Sequence, residues 1–119
     1  MKSLAKILIV AALAGITFNA NAERSPSTKY ILSECAHSAQ IYDIKVGGGY
    51  GELEMPFSAG CIHYAMKPVL EKTAEWKDLN NKYNGLKEAK KNNKAIRGAF
   101  EDGETYGRIV AHRVDAYFN

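Results

Sequence analysis

The chain has 119 residues, 16 Lys and Arg against 13 Asp and Glu, and an apolar fraction of 46%. That is enough for one domain with a single modest core. A formal charge of +3 is too small for a nucleic-acid binder, whose affinity rests on a broad cationic surface.

Residues 1–22 read as a secretory signal. Lys2 and Lys6 form a charged start, Ile7 to Phe18 is an apolar run, and Ala20-Asn21-Ala22 is a small-residue cleavage site. The apolar run is shorter than the roughly 20 residues a membrane span needs, so no stable span is expected after cleavage. Losing Lys2 and Lys6 reduces 16 basic residues to 14 against 13 acidic ones, a net charge of +1. The mature chain, residues 23–119, is expected to be a single helical domain in the periplasm or outside a bacterial cell. If the leader stayed attached as an anchor, a lysis regulator would become the natural reading.

The first helix is predicted from about Thr28 to Lys45. Ser25-Pro26 supplies a start signal, and Ile31, Cys35, Ala39, Tyr42 and Val46 recur with a helical period on one face. Gly47 to Gly51, interrupted only by Tyr50, stops it. A second helix is predicted to begin at Pro56 and to be broken or kinked at Pro68. Leu70, Ala74, Trp76, Leu79, Tyr83 and Leu86 mark a third, amphipathic helix, with Asn84-Gly85 as its expected end.

The last third is the most regular. Ile96, Phe100, Gly103, Gly107, Val110, Val114 and Tyr117 keep one helical phase, which favours a continuous helix over a turn at Asp102-Gly103. Glycine inside a helix costs about 1 kcal/mol against alanine, so two on the apolar face imply close backbone approach. That approach is either within one chain or between two copies, so a homodimer through the Gly103 and Gly107 face is one expectation. The whole pattern predicts an all-α bundle of about four helices.

Cys35 and Cys61 each precede a histidine by two positions, His37 and His63. A Cys2His2 metal site would need all four side chains to converge on one ion. Residues two apart on a helix point about 200° away from each other, so helical Cys-x-His pieces cannot converge. An even pair of cysteines in an exported chain instead predicts a Cys35–Cys61 disulfide, and no metal or other cofactor is expected. His37, His63 and His112 then read as surface or boundary residues, with pH sensing as their functional alternative.

No catalytic arrangement emerges. The Gly47 to Gly51 stretch lacks the lysine and hydroxyl of a phosphate loop. The carboxylates Glu52 and Glu54, like Glu101, Asp102 and Glu104, carry no fixed separation that would suit glycoside hydrolysis. No serine stands in an elbow motif. A non-catalytic function is therefore expected.

Two function classes follow. The first is a small envelope protein that binds and neutralises an enzyme or toxin, of immunity or hydrolase-inhibitor type, through the loop residues Tyr50, Glu52, Glu54 and Phe57. The second is a periplasmic acid-stress chaperone. The basic run Lys87, Lys90, Lys91, Lys94 and Arg97 reads either as a solvated face or as a docking patch for an anionic surface.

Overall fold

The computed structural model describes residues 25–119, so the secretory signal expected at residues 1–22 lies outside the described residues. Four helices account for nearly all of that span: α1 Pro26–Gly47, α2 Glu54–Leu70, α3 Ala74–Ala89 and α4 Lys94–Phe118. No strand occurs among the described residues, and none of the helices there is long and apolar enough to cross a membrane. The class is all-α.

α2 is the central element and packs on each of the other three. Phe57 to His63 is buried without a break, as expected of a helix apolar on every side. Residue pairing gives the directions. Phe57 lies against Gly103 and Cys61 against Gly107, so α2 and α4 run parallel. Tyr42 meets Asp102 while Tyr30 meets Tyr117, so α1 runs antiparallel to α4.

The parallel α2–α4 contact explains the glycines. A Cβ added at Gly103 would overlap the carbonyl of Phe57, one at Gly107 that of Cys61, and one at Gly60 of α2 that of Phe100. Three glycines thus let two helix backbones touch, and Asp102-Gly103 does not interrupt α4. The Gly103 and Gly107 face is covered by α2 of the same chain, so the close approach that these glycines imply is made within one chain.

Other departures have local causes. α1 begins at Pro26 behind an extended Ser25, whose hydroxyl faces that of Ser27 at 2.7 Å instead of capping an amide. Asp43 is buried at the end of α1, while Val46, one turn further, projects past the core and is 61% exposed. α2 starts two residues before Pro56 and continues two residues beyond Pro68 to Leu70, because a proline so near the end removes only one of the last hydrogen bonds. Gly85 does not end α3, which runs to Ala89; it sits on the exposed side, where an added Cβ would meet nothing within 4 Å and the glycine costs only its propensity deficit. α4 is capped by Asn93, whose side-chain oxygen accepts the Ile96 amide at 3.1 Å.

Cys35 and Cys61 form the disulfide, with Cα atoms 5.6 Å apart, joining α1 to α2. Ile31, Ile62, Met66, Phe100 and Val110 fill the core around it.

Candidate functional site

The α1–α2 connection is a built loop. Gly48, Gly49 and Gly51 hold φ values of 77°, 84° and 87°, left-handed angles that side-chain-bearing residues rarely adopt. Asp43 fixes the loop from below. Its backbone carbonyl accepts the Gly49 amide at 3.0 Å. Its carboxylate accepts the Gly51 amide at 2.7 Å and the Leu53 amide at 2.9 Å. Leu53 then turns its side chain into the core beside Ala39, Phe57 and Ala99.

The loop is therefore tied at both ends, and Tyr50 stands at its tip, 86% exposed. The last turns of α1 also expose Ile41, Ile44 and Val46. A shallow groove of about 290 Å³ runs alongside, lined by Ile41, Tyr42, Lys45, Val46, Phe57 and Tyr106. Tyr42 stacks on Phe57 at 4.6 Å and donates its hydroxyl to Asp102 at 2.6 Å. Burial, reinforced by the Asp102 carboxylate, pushes the Tyr42 phenol up to about 12.

The sequence-derived contact residues separate here. Tyr50 and Glu52 are exposed, and Glu54 is half-buried in the first turn of α2. Phe57 is only 5% exposed; its ring supports the groove from within and is not a projecting anchor. Ile41 and Ile44 are exposed and Asp43 lies buried beneath the loop; none of the three stands out in the sequence pattern. The one signal pointing to Asp43 is an acidic residue one turn before a glycine run, a position suited to receiving loop amides.

The basic run gathers at the α3–α4 turn but is largely compensated. Lys87 pairs with Glu104 at 2.9 Å, Lys91 with Glu88 at 2.6 Å and Arg97 with Glu101 at 3.8 Å. Lys90 and Lys94 complete the exposed set. The acidic cluster on α4 is likewise engaged: Glu101 with Arg97, Asp102 with Tyr42, and Glu104 with Tyr83 and Lys87.

The histidines differ from one another. His37 and His112 are exposed. His63 is 6% exposed, with Trp76 and Tyr83 of α3 stacked on it at 4.9 and 4.2 Å. That burial lowers its pKa below the ordinary histidine value. Among the described residues no three His, Cys, Asp or Glu side chains converge in a way that would hold a metal ion.

Comparison with protein-family models, with curated proteins and with solved structures finds no match to this chain.

Proposed function

We propose that this protein is a small exported envelope protein that binds and neutralises a protein partner, an enzyme or toxin, without catalysis of its own. The observation that carries this reading is the Asp43-pinned loop with Tyr50 at its apex. A rigid loop loses little conformational entropy on binding, and tyrosine supplies large contact area with few rotatable bonds. Ile41 and Val46, which line the groove, extend that area, and Glu52 adds a negative charge suited to a cationic cleft. The Cys35–Cys61 disulfide agrees with an oxidising destination such as the periplasm.

Substitution tests the surface. Tyr50→Ala removes an exposed ring and is expected to change stability by less than about 0.5 kcal/mol. The same change is expected to weaken partner binding by at least about 30-fold, the loss typical of a central aromatic anchor. Calorimetric unfolding and a titration against the captured partner give the two numbers. A partner bound equally by both forms rejects the loop as the contact site.

A further inference from the structure

We propose that α3 is an acid-released flap, latched to the bundle by the stacked side chains of Trp76, His63 and Tyr83 and opened when His63 takes up a proton. α3 is the least anchored of the four helices. It fully buries only Leu79 and Tyr83, whereas α1 and α4 bury six residues each and α2 eleven. Its hold on α2 therefore depends strongly on the stack and on one hydrogen bond, and its hold on α4 on Glu104, which accepts from Tyr83 at 2.6 Å and from Lys87 at 2.9 Å.

That bond decides where a proton must go. His63 Nε2 lies 2.9 Å from Asn80 Oδ1. An amide oxygen can only accept, so Nε2 carries the hydrogen of the neutral ring. The second proton must then be placed on Nδ1, which is buried and has no hydrogen-bond partner. An imidazolium in that position would hold an unsatisfied N–H away from water.

The surrounding charges divide. Lys67 of α2 and Lys87 of α3 oppose a positive ring, and Glu104 of α4 favours it. Tyr64 of α2 meets the ring edge-on at 5.2 Å, and the faces of Trp76 and Tyr83 attract a cation. Burial outweighs the favourable contributions, and the closed ring titrates below its ordinary value. The sign follows. An opened ring regains a pKa near 6.5 and binds more protons than the closed one, so opening is favoured as pH falls from about 6.5 through the lowered value. Above that window the closed form keeps its full advantage. Opening would uncover Phe100, which Tyr83 covers edge-on at 5.7 Å.

Hydrogen exchange on the full oxidised chain at pH 7.5 and 5.5, corrected for intrinsic chemistry, tests this directly. Protection of residues 74–89 is expected to drop by up to about tenfold per pH unit below 6.5, while the disulfide-joined parts of α1 and α2 keep theirs. Trp76 is the single tryptophan, and its emission should move to the red in parallel. His63→Phe keeps a stacked ring but cannot be protonated, and should leave α3 protection flat. Asn80→Asp offers the imidazolium a carboxylate within the closed form and should move opening to lower pH, a readout that survives if His63→Phe does not fold. Unchanged α3 protection at pH 5.5, the same loss in His63→Phe, or a loss shared equally by all four helices would overturn the proposal.

Discussion

Asp43 organises the α1–α2 loop through its carbonyl, which accepts the Gly48 and Gly49 amides, and its carboxylate, which accepts those of Gly51 and Leu53. Asp43→Ala would leave the Gly51 and Leu53 amides without their acceptor, and the Leu53 amide is buried. A buried unsatisfied amide costs about 1 to 3 kcal/mol, so the variant should lose about 2 to 3 kcal/mol in denaturant unfolding and exchange faster at residues 48–53. Asp43 was hard to see in the sequence for a physical reason. A charged residue on an otherwise apolar helix stripe reads as surface, and only the tertiary path of the following glycines shows that it faces inward. Tyr50 was easier, because a bulky ring between glycines has no helix or strand to carry it inward. Phe57 follows the loop closely enough to be read as a contact residue, yet its ring packs into the buried α2 surface and is 5% exposed.

At the scale of elements, periodicity specified the helices well because α1 and α4 each bury one clear stripe. It failed at boundaries set by neighbours. Gly85 and Pro68 are locally unfavourable in a helix, yet tertiary packing carries α3 and α2 past both. The glycines of the α2–α4 contact offer a sharp contrast with Gly85. Gly103→Ala forces a methyl group into the Phe57 carbonyl and should cost about 3 kcal/mol or more, because backbone has no rotamer through which to yield. Gly85→Ala meets nothing within 4 Å and should stabilise the protein by up to about 1 kcal/mol. Thermal unfolding of the two variants side by side checks both signs. The sequence marked Gly103 and Gly107 as a close-approach face but could not say which helix approaches, since phase alone carries no partner identity.

For the molecule as a whole, the disulfide joins residues separated by 26 positions within a bundle whose core is small. In the chain-entropy description, closing such a loop contributes about 3 to 4 kcal/mol, a large share of what a domain this size retains. Reduction should lower the denaturant midpoint accordingly, with the slope of the transition changed only through the expanded unfolded state. The two ends of the bundle then differ in character. The end bearing the α1–α2 loop presents a fixed apolar and acidic surface around Tyr50, while α3 is held on the flank by few buried side chains. Under the proposed function, this separation would let the loop bind a partner while α3 responds to acid. It also separates the two function classes experimentally, because a neutralising protein depends on the loop and an acid-activated chaperone on the flank.

The most direct test is capture from an envelope extract by the oxidised domain of residues 23–119 and by its Tyr50→Ala variant in parallel, with the recovered protein then titrated against both. The account predicts one partner held saturably at 1:1 by the parent and at least about 30-fold more weakly by the variant, with unfolding of the variant unchanged. A partner retained equally by both forms, or many clients recovered only after acid treatment, would contradict it.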